Sequence, residues 1–218
     1  MYRVKEAFYT LQGEGAQAGR AAVFCRFSKC NLWTGREQDR ASAICNFCDT
    51  DFVGTDGQNG GRFESAEALA GHLRKLWPDQ PGAPYVVCTG GEPLLQLDDP
   101  LVDALHAAGF AVGVETNGTL PPPAGIDWLC VSPKANAPVV IEQCDELKLV
   151  YPQSLAMPER FTGIKATHFF LSPMASPTVT GAENDPVKQS NTRKATDYCL
   201  ANPRWRLTLQ MHKIIGID

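Results

Sequence analysis

Residues 85–93 read Tyr-Val-Val-Cys-Thr-Gly-Gly-Glu-Pro, four apolar residues running straight into a polar turn with paired glycines. A continuous apolar run, unlike an alternating one, marks a strand covered on both faces, as in a parallel sheet. The same pattern recurs on either side. The run at 22–27 (AVFCRF) leads into Ser28-Lys29-Cys30, 110–114 (FAVGV) into Glu115-Thr116-Asn117-Gly118, and 127–131 (DWLCV) into Ser132-Pro133-Lys134. Further on, 146–151 (ELKLVY) ends at Tyr151-Pro152, and 167–171 (THFFL) precedes Ser172-Pro173-Met174. A seventh run covers 205–211 (WRLTLQM).

Helical patterns fall between these runs. Over 65–77, Ser65 is placed to cap a helix whose Leu69, Leu73 and Leu76 share a face. Leu101, Leu105 and Ala108 repeat at helical spacing over 98–108, ended by Gly109, and Asn191 to Leu200 forms another candidate before Asn202-Pro203. The segment 175–192 reads as a surface loop.

Alternating parallel strands and helices specify a wound α/β sheet or an α/β barrel. A full eightfold barrel takes about 250 residues. The 218 residues here must also house an irregular, glycine-rich segment at 34–62. An incomplete barrel of six or so strand–helix units fits better, as one domain over 1–218. The loops at the strand C-termini would then share one rim, where ligands of parallel α/β folds bind.

Composition narrows the function. With 44% hydrophobic residues the chain can build a core, and 24 acidic against 20 basic residues disfavour a dedicated nucleic-acid binder. No run reaches the ~18 apolar residues of a membrane span. The opening MYRVKEAFYTLQGEG has no apolar signal stretch, so the expectation is a cytoplasmic protein.

In a reducing compartment eight cysteines do not imply four disulfides. Cys88, Cys130, Cys144 and Cys199 are scattered and read as small packing residues. Cys30, Cys45 and Cys48 instead form C-x14-C-x2-C just past the first predicted strand. Three thiolates with no evident fourth partner suit either zinc or an iron–sulfur cluster with one iron left open. Cys25 is near, but lies within the strand and is expected to point into the core.

The rest of the sequence bears on that choice. Thr89-Gly90-Gly91-Glu92-Pro93 resembles the GGEP loop of radical S-adenosylmethionine enzymes, and Phe47 stands before the last cysteine as their motif asks. The fourteen-residue first gap departs from their usual three, yet it is similar to the long-gap 7-carboxy-7-deazaguanine synthases. That resemblance runs in order through Thr10–Gly15, Phe24–Phe27, Cys30–Trp33, Cys48–Phe52, Cys88–Pro93, Glu115–Gly118, Val131–Lys134 and Trp205 to Lys213.

The resemblance implies an incomplete, β6/α3-like TIM-type barrel of the radical S-adenosylmethionine superfamily, with a cluster-binding lobe inserted at about 31–62. It also implies an ammonia-releasing lyase that contracts the ring of 6-carboxy-5,6,7,8-tetrahydropterin to 7-carboxy-7-deazaguanine, for queuosine and other deazapurines. A 4Fe–4S cluster would sit on Cys30, Cys45 and Cys48, and Mg2+ on Thr50. Substrate would meet Leu11, Gln12, Gly13, Glu14, Arg26, Thr89 and the terminal Asp218. S-adenosylmethionine would meet Phe47, Gly91, Glu92, Ser132, Pro133, Lys134, Ser172, Pro173 and Met174, with no side chain as catalyst proper. A homodimer served by an electron donor such as flavodoxin completes the expectation. The alternatives are a glycyl-radical-enzyme activase, sharing cysteines and GGEP, and a zinc-stabilised binding module.

Overall fold

The structure, a computed structural model, describes residues 1–79, 81–177, 179 and 185–217. In chain order the elements are β1 (Tyr2–Leu11), β2 (Ala21–Phe27), β3 (Gly61–Phe63), α1 (Ala66–Arg74), β4 (Tyr85–Gly90), α2 (Asp99–Ala107) and β5 (Ala111–Thr116). They continue as β6 (Trp128–Val131), β7 (Gln143–Tyr151), β8 (Lys165–Pro173), α3 (Pro186–Ala201), β9 (Arg206–Leu207) and α4 (Met211–Ile215). The strands form one sheet in the order β3-β1-β2-β4-β5-β6-β7-β8-β9. From β2 through β9 the pairing is parallel, whereas β1 runs antiparallel to both its neighbours. The sheet is not closed, and three longer helices flank it: the incomplete barrel expected.

Local chemistry explains these elements. Ser65 accepts a hydrogen bond from the Ala68 N–H at the start of α1, and Asp98 does the same for Leu101 at α2. Asp185 accepts from the N–H groups of both Val187 and Lys188, with Pro186 in the first turn where its missing donor costs nothing. That cap corrects the loop expected over 175–192, because its last part is the start of α3.

Two further expectations are corrected. No strand is read before residue 22, yet β1 spans ten residues. Its register slips between Val4 and Glu6, which breaks the two-residue alternation that identifies a strand in sequence. The run 205–211 is a two-residue strand that passes into α4. There the Met211 N–H bonds to the Gly13 carbonyl instead of to a neighbouring strand.

The outer face of the sheet carries the apolar packing, in two main parts. Leu69, Leu73, Leu101 and Leu105, all fully buried, pack α1 and α2 onto Val23, Cys25, Val86, Cys88 and Val112. Burial of each such leucine contributes about 1.5–3 kcal/mol. The second cluster sets Ala195 of α3 against Leu147, Leu149 and Leu171. Leu94 and Leu129 touch both. With hydrophobic residues turned outward, alternation turns Arg26, Thr89, Glu115, Lys148 and Ser172 inward, where they line one cavity. Among the described residues no helix is long and apolar enough to cross a membrane.

Candidate active site

The inward residues and the strand-end loops enclose a cavity of about 460 Å³, within the size range of small-molecule sites. Its wall on one side is sulfur. Cys30 follows β2, while Cys45 and Cys48 lie in the irregular segment that packs beside Leu32 and Ala137. All three are free thiols facing the cavity. Cys45 and Cys48 are hydrogen-bonded to each other, which raises the first and lowers the second against the opposing effect of burial. Burial raises Cys30.

Among the described residues no three His, Cys, Asp or Glu side chains converge on a point that would hold one metal ion. A cubane cluster binds its cysteines through different irons, and three thiols grouped at one cavity wall suit it. Cys25 is no fourth partner, being fully buried in the outer core with Cys88 as its cross-strand neighbour.

The glycine pair closes against this wall. A Cβ on Gly91 would collide with the Lys29 carbonyl, so only glycine lets the loop after β4 lie on the cysteine loop. Glu92 is fully buried, and its carboxylate accepts from the Thr116 hydroxyl at 2.7 Å and the N–H groups of Asn117 at 2.8 Å and Leu94 at 3.0 Å. Its oxygens therefore join the loops after β4 and β5 and do not line the cavity. Lys134 donates to the hydroxyl and the carbonyl of Ser132, each at 2.6 Å.

The floor is charged. Lys148, buried on β7, lies 2.8 Å from the Glu14 carboxylate and 3.2 Å from that of Glu115. Gln12 donates to the same Glu115 oxygen at 3.0 Å. Burial works to raise Glu14, yet Lys148 and His212 bring it below the usual carboxyl range. Lys148 is pushed up, since Glu115 and Glu14 outweigh its burial. Glu146, one step deeper on β7, is raised by burial and accepts from the Ala16 N–H at 2.8 Å. Arg26 donates through Nε to Glu6 across the β1–β2 pair at 2.7 Å.

Of the residues singled out in the sequence, most line this one cavity: Leu11, Gln12, Glu14, Arg26, Cys30, Cys45, Phe47, Cys48, Thr50, Thr89, Gly91, Ser132, Lys134, Ser172, Pro173 and Met174. Gly13, Glu92 and Pro133 do not. Gly13 packs under His212, and the Pro133 carbonyl faces Gln153. Asp218 lies outside the described residues. The sequence reading missed Glu115, Lys148, Asp49, Gln210 and Lys213. The signal for Lys148 was present: charges at 146 and 148 interrupt an apolar strand on one face. Asp49 and Lys213, 2.6 Å apart, join the cysteine segment to α4, a contact that no local pattern encodes.

No family model matches the chain. It is 62% identical over 216 residues, 99% of each chain, to the 7-carboxy-7-deazaguanine synthase of Bordetella pertussis. To that of Caulobacter vibrioides it is 59% identical over 216 residues, again 99% of each. The crystal structure of QueE from Escherichia coli superposes with a TM-score of 0.71 at 27% identity, covering 97% of this chain and 94% of that one. On this sequence identity and shared fold, the chain belongs to the 7-carboxy-7-deazaguanine synthase family.

Proposed function

We propose that the protein is a radical S-adenosylmethionine lyase that converts 6-carboxy-5,6,7,8-tetrahydropterin to 7-carboxy-7-deazaguanine with loss of ammonia. The observation that carries the reading is a three-thiol wall and an ion-paired polar floor in one cavity. When bound, a 4Fe–4S cluster and S-adenosylmethionine supply a 5′-deoxyadenosyl radical that takes hydrogen from an unactivated C–H bond. The chain's own residues bind, orient and exclude water.

Cys30, Cys45 and Cys48 would hold the cluster, leaving one iron open. Gly91, Ser132, Lys134, Phe47, Ser172, Pro173 and Met174 would shape the S-adenosylmethionine side. Glu14, Glu115 and Gln12 offer a row of acceptors and a donor to the edge of a flat heterocycle. A wrong ring would leave these buried groups unpaired, and that penalty gives selectivity. Arg26 would meet the carboxylate through its terminal nitrogens, its Nε being held by Glu6. Substrate and products balance without net oxidation: one carboxypterin gives one carboxydeazaguanine and one ammonia.

The reading extends to a single domain with a cluster-binding lobe at about 31–62, a homodimer, a flavodoxin-type electron donor and a cytoplasmic place of action. Mg2+ belongs to it as well. Thr50 lines the cavity, and its hydroxyl would be the single protein ligand to a hard cation that keeps several waters. Thr50→Ala is expected to raise the Mg2+ concentration for half-maximal activity by about tenfold. An unchanged Mg2+ titration would remove Thr50 from the site.

The decisive experiment is anaerobic turnover of the carboxypterin by reconstituted protein, with and without S-adenosylmethionine and Mg2+. The expected result is carboxydeazaguanine and ammonia in equal amounts, dependent on S-adenosylmethionine. Absence of the deazaguanine overturns the assignment.

A further inference from the structure

Of the fourteen residues between the first two cysteines, only Leu32 and Trp33 line the cavity. The middle of this gap forms a short 3-10 turn over Glu37–Ser42, and from it Arg40 reaches back to the ligand segment. The Arg40 Nη1 donates to the carbonyls of Asn46 at 3.0 Å and Cys48 at 2.9 Å, the two residues on either side of Phe47. Its Nε is held by both oxygens of Glu37 at 2.8 Å. The guanidinium lies 4.2 Å over the Trp33 ring, and that ring packs edge-on against Phe52 at 5.7 Å. The Arg40 side chain is thus fixed by a carboxylate, an aromatic face and two carbonyls, although it belongs to an otherwise exposed turn.

We propose that Arg40 is a positioning residue: its guanidinium holds the turn at Cys45–Cys48 in the shape that receives the iron–sulfur cluster. The inference rests on the cluster reading above. One nitrogen of the guanidinium, Nη1, ties both ends of the short segment that carries Phe47 and the last thiol, while Nε is anchored on Glu37, fixing where those groups point. Two carbonyl dipoles are engaged by a cation at the edge of a site that gathers thiolate charge. A lysine, a point charge without the fork, cannot hold Glu37 and two carbonyls in one plane. The fourteen-residue gap is then a functional insertion, since it supplies the residue that shapes the second half of the ligand set.

The test compares wild-type, Arg40→Ala and Arg40→Lys proteins after anaerobic reconstitution. It follows iron release to a chelator and the electron paramagnetic resonance spectrum of the reduced cluster with and without S-adenosylmethionine. Melting of the cluster-free proteins serves as the folding control. Arg40→Ala is expected to release iron about tenfold faster and to give a broadened or shifted spectrum, with Arg40→Lys rescuing only in part. Iron release at the wild-type rate with an unchanged spectrum overturns the proposal. Wild-type protein that takes up no cluster overturns the underlying reading instead. Should Arg40→Ala fail to fold, Glu37→Gln, which loosens the guanidinium from one side, is expected to speed iron loss severalfold. A wild-type rate in that variant overturns the proposal equally.

Discussion

Cys30→Ala protein is expected to fold, to reconstitute without a stable iron–sulfur chromophore, and to lose turnover by more than about three orders of magnitude. No remaining side chain replaces a hydrogen-abstracting cofactor, which is why the loss should be so large. Cys30 is half-buried, and its sulfur accepts from the backbone N–H groups of Leu32, at 3.4 Å, and Trp33. Removing it should cost only about 1 kcal/mol of stability, a fall of roughly 2–4 °C in Tm for a chain of this size. Anaerobic absorption, iron content and the carboxypterin assay check the first part, and a thermal melt the second. Wild-type turnover in this variant would refute the ligand assignment.

Lys148→Met should produce the largest change in stability. The ammonium is buried between Glu14 and Glu115, with Glu146 and Cys130 facing it from β7 and β6. Removing one partner of a buried pair typically costs about 3–5 kcal/mol, or roughly 10 °C in Tm. The pH dependence follows with a definite sign. Glu14 faces Lys148, His212 and Asp49, and chiefly Lys148 holds it below its ordinary 4.5 although burial opposes this. Its contribution to stability is therefore present above that ordinary value and is lost as pH falls through the lowered one. Without Lys148 the burial acts with less opposition, and Glu14 takes up its proton at higher pH. The acid limb of kcat/KM should move upward in pH and KM for the carboxypterin should rise, as a pH series of steady-state rates would reveal. An unchanged melt together with an unchanged acid limb would show that Lys148 neither braces nor charges the floor.

The parallel half of the fold was legible because its code is local. Each apolar run meets its glycine or proline turn within a few residues, and Ser65 announces its helix directly. What escaped is non-local or irregular. The bulge in β1 scrambles the alternation that would have betrayed it, and α4 follows a strand of only two residues. At the site, residues next to a motif were readable, as with Phe47 before Cys48. Glu92 shows the limit of that reading: it belongs to the motif, yet its carboxylate is spent on Thr116, Asn117 and Leu94. Lys148 acquires meaning only once folding sets it against Glu14, far away in the chain, and charges inside apolar strands were the one clue to it.

The division of the apolar packing between two clusters bears on how the molecule breathes. One cluster lies under α1 and α2 and the other under α3, with Leu94 and Leu129 bridging them beside the four-residue strand β6. Fluctuations that part the two halves need disrupt few shared contacts, so local opening is easiest along that seam. Amide protons of β6 should accordingly exchange with solvent faster than those of β4, whose neighbours on both sides belong to a single cooperative block. Uniform protection across the sheet would mean that the two halves unfold as one. Since the cavity floor draws Glu115 from one half and Lys148 from the other, their ion pair is also a latch across the seam, and a ligand seated on it would slow exchange in both.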